Sequence, residues 1–343
     1  MILCPTHRTG LTVDSTGRHY LCLAGCSFLA PAPGVIDLLP QDRSSDQTSK
    51  HYSLQWGSDV DFASFCKTNP DALSVMTSKQ MGWPSLVERI REQSFKGSVR
   101  LLDAACGYGG LFQDLFAPPG AVGLNYLGAD IHQALSTIQR PNDVGPDRAS
   151  FLRWDISEPL PTDEVFDYVI CRAAIHHTPD PAATFRSLVS RLAPGGTVAI
   201  TVYAKKPATR EASDDALRSL IVPKSPQEAL GLARQFTLLG RDLQGCEEKI
   251  EIAQDLPFLG IKAGRYGIQE FIYDHFVKCW FNPSFGERYS DVVNFDWYHP
   301  PYAYRYEPED IHHWFDENNL QIDRFFSTKA QHYFEGHLVS RTS

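Results

Sequence analysis

The chain has 343 residues, 43% of them hydrophobic and 21% charged, which suits one α/β core with room for a further module. A formal charge of -9 speaks against a general binder of nucleic acid or anionic membrane, and no apolar run reaches the roughly 20 residues of a bilayer-spanning helix. The start "MILCPTHRTG" lacks the basic stretch and apolar run of a secretory signal, so the chain is expected in the cytoplasm and its eight cysteines as thiols or metal ligands.

The first forty residues read as a zinc-ribbon-like module. Cys4 and His7 make a C-x2-H pair, Cys22 and Cys26 a C-x3-C pair, and the segment between them holds the turn formers Asp14, Ser15 and Gly17. Two such knuckles facing each other across a hairpin supply the four tetrahedral ligands zinc takes, and the metal would hold together a piece too small for its own core. The other reading is scattered structural cysteines with a surface histidine. "GVIDLLP" closes the module, and "QDRSSDQTSK" reads as a polar, serine-rich linker that opens a region of linker and N-terminal helices over 41–98.

From Trp83 onward helices and strands alternate. Leu86, Val87 and Ile90 recur at helical spacing, and "VRLLD" is a buried-strand run closed by Asp103. Gly109 to Ala117 reads as a short amphipathic helix, Tyr126 to Asp130 as a strand and Ile131 to Arg140 as a helix. Phe151 to Asp155 and Phe166 to Cys171 read as strands, Pro181 to Leu192 as a helix stopped by Pro194-Gly195-Gly196, and Thr197 to Tyr203 as the fifth strand. This alternation predicts a doubly wound parallel sheet with ligands at the carboxyl ends of its strands.

Those ends carry Asp103, Asp130 and Asp155 beside the small-residue turn Ala105-Cys106-Gly107-Tyr108-Gly109-Gly110. A carboxylate after the second strand can accept from both hydroxyls of a ribose, and one after the third from an exocyclic adenine amine. Each aspartate alone could as well be a helix N-cap. Three together, with no phosphate-cradling lysine in the turn, point to a nucleoside without a polyphosphate.

The stretches "LLDAACGYGG", "YLGADI", "LRWDI", "FDYVICRAAIHHTP" and "RLAPGGTVAI" resemble, in order, the motifs of class I S-adenosylmethionine-dependent methyltransferases. The resemblance covers roughly Val99 to Tyr203 plus the final strands, and it implies a Rossmann-like seven-stranded sheet with a cofactor-binding core over 99–204. It implies Asp103 near the methionine portion of the cofactor, Ala105, Cys106, Gly107 and Gly109 in close backbone approach, Asp130 and Ile131 at the ribose, and Asp155 and Ile156 at the adenine. Arg172, and Tyr52 and Trp56 upstream of the first motif, are further cofactor candidates, with burial of the two aromatics against the ribbon as the alternative. Ala105 stands where many members have glycine.

Residues 205–299 interrupt this pattern as a helical insertion after the fifth strand, readable as a lid over the strand ends or as a homodimer interface. "NFDWYHPPYAYRY" reads as an extended aromatic loop in which Trp297, Tyr298 and His299 are substrate-binding candidates, or simply loop core. A C-terminal helix, Glu307 to Asn319, and the last strands of the core complete 300–343. His176 and His177 follow the fourth strand, where a histidine could serve as general base; packing is the alternative for one of them. The expected function is O- or N-methylation of a small-molecule acceptor. An RNA methyltransferase and a non-catalytic cofactor-binding adaptor remain as alternatives.

Overall fold

The computed structural model describes residues 1–40, 46–57, 60–69, 81–118, 120–141 and 143–339. The linker residues 41–45, the side chain of Cys66 and residues 340–343 fall outside these. Three short strands, β1 (Leu11–Val13), β2 (His19–Cys22) and β3 (Ser27–Leu29), form an antiparallel meander, and β4 (Val35–Asp37) follows.

The main sheet is built from β4, β5 (Val99–Ala104), β6 (Leu124–Asp130), β7 (Ala149–Arg153), β8 (Phe166–Arg172) and β9 (Leu192–Tyr203). Beyond these come a small hairpin, β10 (Lys249–Ile252) with β11 (Gly264–Gly267), and the closing strands β12 (Leu320–Ser327) and β13 (Gln331–Leu338). Strand order is β12-β13-β9-β8-β5-β6-β7-β4, with β13 antiparallel to β9 and all pairs from β9 to β4 parallel.

The order reverses at β5, which lies between β6 and β8, so a crevice opens at the carboxyl ends of these strands. Leu102 and Ala104 of β5 pack with Phe185 and Phe315 on one face, while Val99 and Leu101 pack with Leu86, Ile90 and Phe112 on the other. Helices Trp83–Lys96 and Gly110–Phe116 cover one side, and helices Pro181–Val189 and Pro308–Glu317 the other. That is the three-layer arrangement parallel strands require, because both their faces are apolar.

The sheet has eight strands rather than seven. The eighth is β4, which the sequence placed at the end of a separate module. Val35 to Asp37 pair parallel with Phe151 to Arg153, Ile36 and Leu38 enter the main core, and Arg153 Nη1 bonds Asp37 Oδ2 at 2.9 Å. The N-terminal segment therefore shares the core of the sheet. Its start is tied down too, through the Leu3 amide to the Pro161 carbonyl at 2.7 Å and Arg8 to Asp163 at 2.7 Å.

The linker is shorter than read. Asp46 caps a helix, Gln47–Trp56, by accepting from the Ser49 amide. Ile131 to Arg140 holds only the 3₁₀ turn Gln133–Thr137. There the His132 ring takes the Ala134 amide, and the Thr137 hydroxyl bonds the Ala134 carbonyl. The insertion comprises helices Ala208–Ile221, Pro226–Gln244, Ile268–His275 and Gly286–Tyr298 together with the β10–β11 hairpin. Phe62 and Phe65, on helix Phe62–Thr68, pack against Phe285, Val292 and Val293 of this insertion.

Candidate active site

The turn after β5 is held open by backbone geometry. Ala105, Gly107 and Gly109 all have positive φ, at 64°, 52° and 80°. The Ala105 and Cys106 amides both bond the Ala129 carbonyl, at 2.7 and 3.1 Å, and the Gly107 amide donates to Asp130 Oδ2 at 2.8 Å. A Cβ at Gly109 would meet Ile138 Cγ2 at 3.0 Å, so a side chain there would face both a left-handed backbone and a tight contact. Ala105 and Ala173 carry the same left-handed conformation without being glycine, at the ends of β5 and β8, and both line the cavity described next. Strain held at strand ends beside a cavity is characteristic of a working site.

A cavity of about 630 Å³ occupies the crevice. Asp103, Ala105, Cys106, Gly107, Asp130, Ile131, Asp155, Ile156, Arg172 and Tyr52 all line it, so these sequence-predicted cofactor residues come together. Gly109 does not; it serves as the N-cap of helix Gly110–Phe116. Trp56 lines the cavity too, its ring 3.5 Å from where a Gly107 Cβ would stand and 5.4 Å from the Tyr108 ring, rather than packing on the ribbon. Burial pushes the Asp103 carboxyl up to about 6, against the opposing effects of the Tyr126 hydroxyl, which donates to it at 2.6 Å, and of the Arg172 charge.

The insertion and the segment after it close the other side. His177 Nδ1 lies 2.7 Å from the Tyr302 carbonyl, so it must carry the ring proton, leaving a lone pair on Nε2. Among the described residues Nε2 is buried with no partner, as is the Tyr52 hydroxyl. Burial pulls the His177 ring below the usual range, with Asp296 acting in the opposite direction. The Tyr203 hydroxyl donates to Asp296 Oδ2 at 2.8 Å. Burial would raise the Asp296 carboxyl, yet the nearby His51 and His177 rings and the Tyr203 hydroxyl together hold it below the usual range.

Four predicted positions face elsewhere than the sequence reading had them. Besides Gly109, His176 is fully buried against Tyr203, ring centroids 3.9 Å apart, and does not line the cavity. Tyr298 is buried in the insertion's own core, donating to Asp214 Oδ1 at 3.1 Å, and the His299 ring lies 2.8 Å from that of His51 and 3.1 Å from the Lys224 carbonyl. The cause is that Asn294 to Tyr298 is the end of a helix and not an extended loop, so only one side of it, Asp296 and Trp297, reaches the cavity. The reading from sequence missed Asp296, Tyr203, Lys206, Arg210, Tyr273 and Lys278. Five of these belong to the insertion, whose path no local motif signals.

At the other end of the chain, the ligand atoms of Cys4, His7, Cys22 and Cys26 lie within 4.8 Å of one another. The three sulfurs stand 3.6, 3.6 and 3.4 Å from His7 Nδ1. Zn–S and Zn–N bonds of about 2.3 and 2.0 Å at tetrahedral angles place sulfur and nitrogen about 3.5 Å apart, so the donor set fits zinc. Thr9 Oγ1 at 3.0 Å and the Ala24 amide at 3.3 Å support Cys22 Sγ from outside.

Residues 76–235 match the family model of a methyltransferase domain. The chain is 29% identical over 128 residues to a ubiquinone biosynthesis O-methyltransferase of Pseudomonas aeruginosa, covering 36% of this chain and 53% of that protein. To the protein of the same name from Xanthomonas campestris it is 32% identical over 112 residues, covering 32% and 45%. The chain thus spans about half the length of the curated relatives it matches. Among solved structures it is similar to the magnesium protoporphyrin IX methyltransferase of Synechocystis with bound S-adenosylmethionine, at 15% identity and a TM-score of 0.38, covering 76% of this chain and 80% of that one. Among the described residues no helix is long and apolar enough to cross a membrane.

Proposed function

We propose that the protein is an S-adenosylmethionine-dependent methyltransferase acting on a hydroxyl of a small-molecule acceptor. The observation that carries this reading is one cavity that unites the strand-end acids and glycine turn with His177, whose Nε2 is buried with no partner among the described residues. The residues fit the cofactor. Asp130 offers carboxylate oxygens at the position for a ribose, Asp155 an acceptor for an adenine amine, and Asp103 a negative charge for the cationic methionine portion. When bound, S-adenosylmethionine supplies an electrophilic methyl carbon, which leaves the protein to orient a nucleophile and deal with its proton.

His177 can do the second task. Its Nδ1 is committed to the Tyr302 carbonyl, its Nε2 lone pair faces no protein donor, and burial keeps the ring neutral near pH 7. A hydroxyl needs its proton taken as it reacts; an unprotonated amine does not. An available base therefore favours O-methylation, in keeping with the names of the curated relatives. The cavity volume falls in the range of about 300–1,000 Å³ of small-ligand sites, and the insertion contributes its wall, which favours a small acceptor over RNA. A structural zinc ion held by Cys4, His7, Cys22 and Cys26 completes the reading.

Two measurements test it. Calorimetry should show binding of S-adenosylmethionine and S-adenosylhomocysteine, and transfer of labelled methyl from the cofactor into cell extract should appear in the small-molecule fraction. No binding of either nucleoside at millimolar concentration would end the reading. Label appearing in RNA would transfer it to the RNA alternative, and binding without turnover on any fraction would favour the adaptor.

A further inference from the structure

The cavity wall furthest in sequence from the acids is built around one indole. Lys278 Nζ lies 4.5 Å from the Trp297 ring centroid, Lys206 Nζ 5.7 Å and Arg210 Cζ 5.6 Å, and all four residues line the cavity. Arg210 is 1% exposed and paired, its Nε donating to Asp214 Oδ2 at 2.7 Å. The two lysines differ. Lys278 is only 7% exposed, yet among the described residues no carboxylate lies within ion-pair distance of its ammonium. Lys206 gives its ammonium to the Lys329 carbonyl, a neutral acceptor. Neighbouring acids are spoken for, since Glu211 pairs with Arg305 and Asp274 with Lys329.

A buried ammonium without a counter-ion is costly, and a cation is retained in a cavity wall when something that enters the cavity pairs with it. We propose that Lys278 and Lys206, backed by Arg210 on the Trp297 platform, form a carboxylate-binding subsite, and that the methyl acceptor is a small carboxylate. A monoanion suits the pair, because Arg210 already pairs with Asp214 while neither Lys206 nor Lys278 has a carboxylate partner among the described residues. A phosphate dianion exceeds what two amines, one of them pulled down to about 7, supply near neutral pH.

Burial pulls Lys278 down to about 7 and Lys206 to about 8, although nearby carboxylates, Asp296 and Asp214 for Lys278, act in the opposite direction. The subsite lies next to the reacting end. The Trp297 ring centroid lies 4.7 Å from that of Tyr203 with the planes inclined by 42°, and the Tyr203 ring meets that of His177 edge-on at 5.3 Å. An acceptor with its carboxylate at Lys278 and its body along Trp297 and Tyr203 therefore extends toward His177. This assignment rests on the methyltransferase reading for the identity of the acceptor, but the subsite itself does not depend on it.

The test is calorimetry at pH 7 with benzoate, phenylacetate and cinnamate, each against its neutral amide and with phenyl phosphate alongside, in the presence and absence of S-adenosylhomocysteine. At least one carboxylate should bind tenfold or more tightly than its amide and more tightly than phenyl phosphate. The preference should fall below threefold in Lys278→Met and return in Lys278→Arg, with the melting temperature of Lys278→Met no lower than the parent's and S-adenosylhomocysteine affinity unchanged in both. Equal binding of acids and amides, no binding of any acid at 10 mM, or a preference that survives in Lys278→Met overturns the subsite. Tighter binding of phenyl phosphate overturns the carboxylate assignment. Failure of S-adenosylhomocysteine to bind while the acid preference persists counts against the methyltransferase reading alone.

Discussion

Replacing Asp103 by asparagine should strengthen the fold while weakening the site. Asp103 is 3% exposed at the end of β5, and burial raises its carboxyl from 3.8 to about 6. An acid whose pKa is higher in the folded than in the unfolded chain binds protons more tightly when folded. Its contribution is therefore absent below the unfolded value and unfavourable above the folded one. At 1.36 kcal/mol per pH unit, the ionised carboxylate costs the free protein about 3 kcal/mol at pH 7 and about half of that at pH 5. Asparagine keeps an oxygen for the Tyr126 hydroxyl and carries no charge. The variant should melt several degrees above the parent at pH 7, with a smaller gain at pH 5.

Cofactor binding should move the opposite way. A cationic ligand requires the carboxylate ionised, so the parent's affinity for S-adenosylmethionine should be flat above pH 7 and about tenfold weaker at pH 5, where about one molecule in ten is ionised. Asp103→Asn should bind at least tenfold more weakly at pH 8 and lose this dependence. Melting curves and titration calorimetry between pH 5 and 8 measure both effects. An unstabilised variant, or one with the parent's pH slope, would refute the placement of a strained charge at the cofactor's cationic end.

Further outcomes follow from the same geometry. Asp130→Ala should weaken cofactor binding by about 1.5–3 kcal/mol, as loss of a charge-assisted hydrogen bond does, and calorimetry with S-adenosylhomocysteine reads it. His177→Gln should lower kcat by about 10²–10⁴ with cofactor affinity within twofold; equal losses in both would make it a packing residue. Metal analysis should find one zinc per chain, absent in Cys22→Ser, and chelation should lower the melting temperature of the whole sheet and not only of residues 1–40, because β4 belongs to that sheet. Gly109→Ala should cost about 1–3 kcal/mol in denaturant unfolding, from the left-handed backbone and the contact with Ile138.

From Val99 to Tyr203 the sheet was legible because its signals are local. Apolar runs end in acids and small residues mark the turn, though Pro194-Gly195-Gly196, read as the stop between helix and fifth strand, lies inside β9, which begins at Leu192 and pairs regularly from Thr197. What failed was non-local. Val35 to Asp37 looked like a tail because nothing nearby in sequence shows that β7 offers an open edge to it. The aromatic and proline density of Asn294 to Tyr306 suggested a loop, yet Pro300 and Pro301 only follow the end of helix Gly286–Tyr298, whose buried face includes Val293, Phe295 and Trp297. Lys278, in the segment after helix Ile268–His275, and Asp296, on helix Gly286–Tyr298, could not be picked out, since lysines and aspartates are usually solvated, and only the folding back of the insertion turns these two inward.

The position of β13 between β9 and β12 matters for how the chain is made. Residues 331–337 pair with Thr197 to Tyr203, more than a hundred residues earlier, so a ribosome finishes the parallel half of the sheet and the whole insertion before β9 gains this partner. Throughout that interval the nascent chain presents an unpaired strand carrying Val198, Ile200 and Val202, the kind of edge that recruits other chains. Expression from templates that stall or truncate between residues 204 and 330 should therefore yield aggregate rather than a smaller soluble domain, and supplying residues 308–339 in trans should rescue solubility where shortening the insertion does not.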